Sequence, residues 1–355
     1  MVLIGEYTQL PDWIPVQAGS GILALERGAD GVYREAGVCP TENPSYLIPG
    51  DGDCFFAVQE GGQGGLARCK KTADGAIALD KPIRFPGSGS CHICFDRRTD
   101  TAYVANYESG SLTVVGGATG DMGVLQQFSY SGSGPDPKRQ AGPHIHSSWL
   151  SPGGGELFAA DLGADRIYRY LRNPDGSLYP NPRQPSIPFP PGSGPRHMAF
   201  HHSLPVAYVT AELSNQIFML QFGADNTATA LAFWETAQRR EGVVLTAHLQ
   251  LSRRYGMLYA CVRGRDELVW FSVEPGSGLL SLRGRCPSGG RFPRHFLLDE
   301  ETGDLLVANQ LSGDVCVFRV DPSGDVAPTP VQRISAPSAA AVMRLGAERP
   351  ADWAC

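Results

Sequence analysis

The chain has 355 residues, a formal net charge of −6, 43 glycines, 28 prolines and only 19% charged residues. That length would suit two ordinary domains, but abundant turn formers and few charges point to an all-β protein with many short strands. No window sustains a helical period or an apolar run of membrane length, and the acidic balance without basic clusters excludes nucleic acid as a partner.

The chain opens on Val2-Leu3-Ile4-Gly5-Glu6, an apolar strand. The segment around it has neither a basic stretch nor a long apolar core, so no signal peptide is expected, and the cytoplasm is the default compartment. The nine cysteines agree with this. They are odd in number and scattered, and Cys54, Cys94, Cys261 and Cys316 fall in predicted strands as small buried residues.

A weak repeat starts at Asn43-Pro44-Ser45-Tyr46-Leu47 and runs through Phe55-Phe56-Ala57-Val58 to Glu60. Stronger copies follow at His92, His146, His197, His248 and His295, spaced by 54, 51, 51 and 47 residues. Each histidine opens a short apolar strand, as in His92-Ile93-Cys94-Phe95. A turn and a second strand come next, as in Ala102-Tyr103-Val104-Ala105, and then a third, as in Leu112 to Val115. The first copy is split: Val2 to Glu6 lacks a preceding strand, and Pro337 to Met343 supplies one. Seven units of about fifty residues predict a single seven-bladed β-propeller over 1–355, four antiparallel strands per blade, closed by pairing of the N- and C-terminal strands.

In an antiparallel pair the start of one strand meets the end of the next, so each blade presents a pair at one mouth of the central channel. The pairs are Tyr46 with Glu60, His92 with Asn106, His146 with Asp161, His197 with Glu212, His248 with Arg263, and His295 with Asn309. His144, Arg196 and Arg294 stand just before their strands. Strict alternation along a strand lets only one of Arg196 and His197, and one of Arg294 and His295, face the channel. Any single histidine here is as well suited to holding a turn as to chemistry, and Arg196 with Glu212 to bracing a blade.

Other motifs fall away. Cys91-His92-Ile93-Cys94 has the spacing of a metal or redox pair, but on a strand its sulfurs face opposite ways. The glycine runs at 61–65 and 192–194 lack a strand-loop-helix context, and no G-x-S-x-G nucleophile elbow occurs. Histidines spread over five blades do not make a compact ligand set, so no metal and no cofactor are expected.

With the repeat laid out, the chain resembles the lactonase family of seven-bladed propellers. That family holds the bacterial propeller-type 6-phosphogluconolactonases and the fungal 3-carboxy-cis,cis-muconate lactonising enzymes. The residues that carry the resemblance are Gly132 to Gln140, Gly142-Pro143-His144-Ile145-His146, Ala160 to Tyr168, Gly194-Pro195-Arg196-His197 with Glu212 to Asn215, and Pro293-Arg294-His295 with Val307 to Gln310. It implies a catalytic set of His146 (or His144), Arg196, Glu212 and Arg263. The sixth blade departs from the pattern, opening Thr246-Ala247-His248 and carrying Cys261-Val262-Arg263-Gly264, so Arg265 is an alternative to Arg263.

Lactone hydrolysis needs an activated water, a stabilised carbonyl oxygen and a grip on the substrate's anionic end. Glu212 or His146 suits the base, and Arg196 and Arg263 the oxyanion or the anion. His144, Arg139, Asp161, His197, Arg294, His295 and Asn309 are candidate substrate-binding residues. The expected partner is a small anionic lactone, phosphorylated or carboxylated, with no nucleic acid or membrane, bound by a monomer or homo-oligomer. Two other readings stand beside the hydrolase: a cofactor-free cycloisomerase that closes a carboxymuconate lactone, and a propeller that only binds a ligand or partner.

Overall fold

The computed structural model describes residues 1–10, 16–237 and 242–346. All regular elements among these residues are strands, gathered into seven antiparallel sheets. Blade two is typical, running in spatial order Leu47–Pro49, Cys54–Val58, Gly64–Lys71 and Ile77–Phe85. In blade four the outermost strand is broken into Leu178–Pro180 and Ser186–Pro188, both paired with Arg166–Arg172. The first strands stand side by side round the axis: Ser90–Asp96 beside Ile145–Leu150, then Pro195–Phe200, Leu245–Ser252, Pro293–Asp299, Ala339–Arg344 and Leu47–Pro49.

Closure is as the split repeat predicts. Val2–Glu6 pairs with Ile22–Arg27 on one side and with Ala339–Arg344 on the other, Ile4 facing Val342. The core is a series of apolar layers between blades. One joins Val2, Ile4, Leu23 and Leu25 of blade one to Leu306, Ala308, Val315 and Val317 of blade seven. Inner strands buried on both faces are continuously apolar rather than alternating, as in Leu305 to Ala308. Tyrosines clamp neighbours together: Tyr103, Tyr208 and Tyr259 donate to the carbonyls of Gly176, Gly278 and Gly324 in the next blade. Each of these turn glycines has a positive φ (84°, 75° and 86°), so a side chain there would be strained.

One irregularity positions the site. In blades three to seven the ladder between first and second strands slips just inside the mouth. Ser90 faces Asn106 and His92 faces Ala105, leaving Cys91 extra; Pro293 faces Asn309 and His295 faces Ala308, leaving Arg294 extra. Such a β-bulge puts two consecutive side chains on the same face. Arg196 with His197, and Arg294 with His295, therefore all turn towards the axis at two depths, which corrects the alternation expected from a regular strand.

The inner strand from the C-terminal side covers Leu3 and Ile4, while Val342 and Met343 are themselves buried. Each is worth about 1.5–3 kcal/mol of burial, against a typical total stability of ~5–15 kcal/mol. Truncation before Pro337 is expected to abolish cooperative thermal unfolding by circular dichroism. A truncated chain melting cooperatively within a few degrees of the full protein would show that the ring closes without this strand.

Candidate active site

The bulges sort the inward side chains into two layers. The upper one holds Ser45, Cys91, His146, Arg196, Ala247 and Arg294, with Ala340 completing the circle. The lower one holds Tyr46, His92, Ser147, His197, His248, His295 and Ala341. His146 is therefore not the fourth blade's copy of His92 and His197. Ser147, which faces Ala160, takes that place, and His146 occupies the position of Arg196 and Arg294.

Above these layers runs a third ring. It is made by the residue just past the last rung between second and third strands: Tyr7, Glu60, Tyr107, Leu162, Glu212, Arg263 and Gln310. Asp161 and Asn309, expected at this mouth, stop one residue short and belong to their hairpins. Asp161 Oδ1 accepts from the amides of His144 (2.8 Å), Gly163 and Ala164 (both 3.0 Å). Asn309 Nδ2 donates to the Ser288 carbonyl and to Asp314 Oδ1. Asn106 is turned the same way, towards Ser111 and Thr113. Tyr7, Tyr107 and Gln310 were missed by counting from the histidines. Counting back from the left-handed turn residues Gly110, Asp165, Asn215, Asp266 and Gly313 finds the ring position in five blades.

Glu212 is the hub of the mouth. Arg139 Nη2 donates to its Oε1 at 2.6 Å, while Arg263 Nη2 and Arg196 Nε lie 2.5 and 2.8 Å from Oε2. The last two contacts are close but poorly aligned, so they are ionic rather than directed bonds. Arg196 Nη1 and Arg263 Nε are buried and have no acceptor among the described residues. Burial alone would raise the Glu212 carboxyl, but Arg263, Arg139 and Arg196 outweigh it and hold the group well below the usual carboxylate range. Burial, with Arg263 beside it, brings Arg196 down to about 10, still protonated at neutral pH.

Arg139 comes from the connection between blades three and four. Asp136 Oδ1 accepts from the amides of Lys138 and Arg139, and Gln140 Nε2 ties the loop to the Leu162 carbonyl. That turn swings the Arg139 guanidinium over to Glu212 and the Tyr107 hydroxyl. His144 stacks on the Tyr107 ring at 4.3 Å, with Nδ1 against the Tyr107 carbonyl. His146 is 5% exposed, and its Nδ1 has no partner among the described residues. Arg265, the alternative to Arg263, instead pairs with Glu267.

His197 and His295 are placed in the lower layer, away from the mouth. The rings of Tyr46, His92, His197, His248 and His295 pack round the axis, His248 on His295 at 3.9 Å and Tyr46 on His92 at 4.2 Å. His197 Nδ1 and His248 Nδ1 are 3.0 Å apart, so one donates and the other accepts. His92 and His295 receive the amides of Ser148 and Val342. These rings plug the channel beneath the arginines.

A family model described as "Lactonase, 7-bladed beta-propeller" matches residues 1–343. The 6-phosphogluconolactonase of Bacillus subtilis is 30% identical over 297 residues, covering 79% of this chain and 80% of that one. The 6-phosphogluconolactonase of Formosa agariphila is 32% identical over 240 residues, covering 66% and 68%. Among solved structures, the periplasmic gluconolactonase of Pseudomonas aeruginosa superposes with a TM-score of 0.88 at 31% identity, covering 96% of this chain and 98% of that one.

The buried histidines make stability depend on pH. Burial first, and neighbouring cations second, hold His92, His146, His197 and His248 well below the ordinary value and bring His295 down to about 3. Each stays neutral in the fold and takes a proton only on unfolding, once pH is below about 6.5. Stability is thus full above that pH and falls as the pH drops below it. Glu6, raised to about 7 by burial, acts oppositely, its contribution being lost as pH rises through 7. Urea unfolding at pH 7.5, 6 and 5 is expected to show a steep decline in the free energy of unfolding, and a flat profile would contradict the neutral plug.

Proposed function

The chain belongs to the seven-bladed β-propeller lactonase family, and we propose that it hydrolyses an anionic sugar lactone of the 6-phosphogluconolactone type at the mouth around Glu212. The observation that carries this reading is the pair of buried guanidinium donors without acceptors, Arg196 Nη1 and Arg263 Nε, beside a neutral histidine. Buried donors gain most from an oxyanion placed within their reach. The mouth as a whole sets four guanidiniums, Arg139, Arg196, Arg263 and Arg294, against two carboxylates, Glu60 and Glu212. That excess favours an anionic ligand.

His146 is the base in this proposal. It takes a proton from water, whose oxygen bonds to the lactone carbonyl carbon. Arg196 and Arg263 hold the negative charge that develops on the carbonyl oxygen. Collapse of the tetrahedral adduct breaks the bond from that carbon to the ring oxygen, and the proton on His146 passes to the departing oxygen as a hydroxyl. The product is the open-chain hydroxy acid. Both oxygens of Glu212 are taken up by guanidiniums, whereas His146 Nδ1 is buried with no partner among the described residues. The role of Glu212 is to set the arginines in place. Burial first and Arg196 second depress His146, and an anion bound to Arg196 screens the second of these, so His146 is the better base when substrate is present.

A cytoplasmic enzyme of this kind would meet a phosphorylated lactone. The Pseudomonas relative is a periplasmic gluconolactonase, so an assay should include both lactones and 3-carboxy-cis,cis-muconate. Hydrolysis of 6-phosphoglucono-1,5-lactone is expected, with His146→Ala lowering kcat by about 10²–10⁴. Arg139→Ala, which removes a charged contact at the rim, should raise KM for the phosphorylated lactone about tenfold or more. Undiminished kcat in His146→Ala would overturn the mechanism. Closure of carboxymuconate without opening of either lactone would replace it with the cycloisomerase.

A further inference from the structure

The mouth is polarised. Blades three to six supply Tyr107, His146, Arg196, Glu212 and Arg263, with Arg139 swung in above them. Blades seven, one and two form the opposite arc, with Arg294, Gln310, Tyr7 and Glu60. There the Tyr7 hydroxyl donates to Glu60 Oε2 at 2.7 Å. Arg294 Nη2 lies 3.5 Å from the same oxygen, and its guanidinium sits 5.5 Å over the Tyr7 ring. One cation and one carboxylate cancel, so this arc is neutral, whereas the other keeps three guanidiniums round one carboxylate.

The neutral arc is rich in acceptors that lack donors. The Glu60 side chain is 24% exposed, and its Oε1 takes no bond from the described residues. Gln310, at the equivalent ring position, is buried at 1% exposure, with its carboxamide oxygen unbonded. An unmet buried acceptor calls for a hydroxyl or amine, and a positive charge is already supplied here by Arg294.

We propose that Glu60, Tyr7 and Gln310 form a hydroxyl-binding subsite, which holds the neutral polyhydroxylated part of the lactone while its anionic end lies on the arginine arc. The inference rests on the lactonase reading and adds the side of the mouth that selects a sugar. Sites built to bond hydroxyls discriminate strongly against analogues that lack them, because their own polar groups are then left unmet.

The test is calorimetric binding of two acids with the same carboxylate and unequal hydroxylation, D-gluconate and 5-hydroxypentanoate, to the full-length protein. The wild type should favour gluconate by at least about tenfold. Tyr7→Phe, which keeps the ring under Arg294 and removes only the hydroxyl, should cut that ratio by about three- to tenfold, and Glu60→Gln should do the same. No preference in the wild type, or a ratio unchanged in both variants, overturns the subsite. Hydrolysis of 6-phosphoglucono-1,5-lactone by the same preparation reports separately on the lactonase reading, since binding needs no turnover.

Discussion

Three guanidinium groups share one buried mouth here because a carboxylate stands at their centre. Glu212 would resist ionisation in so buried a place, and Arg196 and Arg263 would resist charge beside each other, yet each makes the other tolerable. Breaking such a buried set by removing one partner costs about 3–5 kcal/mol, mostly through the charges left behind. The arrangement is not a closed ion pair. Glu212 has two oxygens and three cations, so donors are left over, and these unmet N–H groups separate a site from a brace.

The β-bulge at the head of the first strands converts a uniform ring into this site. Without it, alternation would give each blade one inward residue at the mouth. With it, blades five and seven present an arginine above a histidine, and blade four presents His146 above Ser147. The two layers do different work. The lower rings are neutral, packed on one another and buried, and close the axis from below. The upper layer carries the charge, in Arg196 and Arg294, and Arg196 shares Glu212 with Arg139 from the connection above. On the proposed reading a ligand reaches His146 and Arg196 from one face, between the arginine arc and the arc of Glu60, Tyr7 and Gln310.

Fold and closure were legible because they repeat. Seven copies of an apolar strand, a turn and a second apolar strand leave little freedom, and Pro337 to Met343 could be matched to the missing first strand. The charged hub was legible too, since the rim pairing put Glu212 and Arg263 at one mouth with Arg196 just before its strand, and the family resemblance joined the three. What could not be read was register. A single-residue slip leaves His146 at the mouth but sets His197 and His295 below it, and Asp161 and Asn309 turn into their hairpins. Histidine spacing hides that slip because bulges lengthen one strand and not its partner. Tyr7, Tyr107 and Gln310 stayed hidden for the same reason, having no shared residue type to mark a ring set by turn geometry alone.

In the proposed mechanism the unmet donors of Arg196 and Arg263 mark the place where the substrate's negative charge sits beside His146. A crystal structure of the protein with its open-chain product, 6-phosphogluconate, tests this most directly. An anionic oxygen is expected within hydrogen-bond distance of Arg196 Nη1 and Arg263 Nε, with Glu212 still anchoring both guanidiniums. Product bound away from this mouth, with Arg196 and Arg263 unchanged, would contradict it.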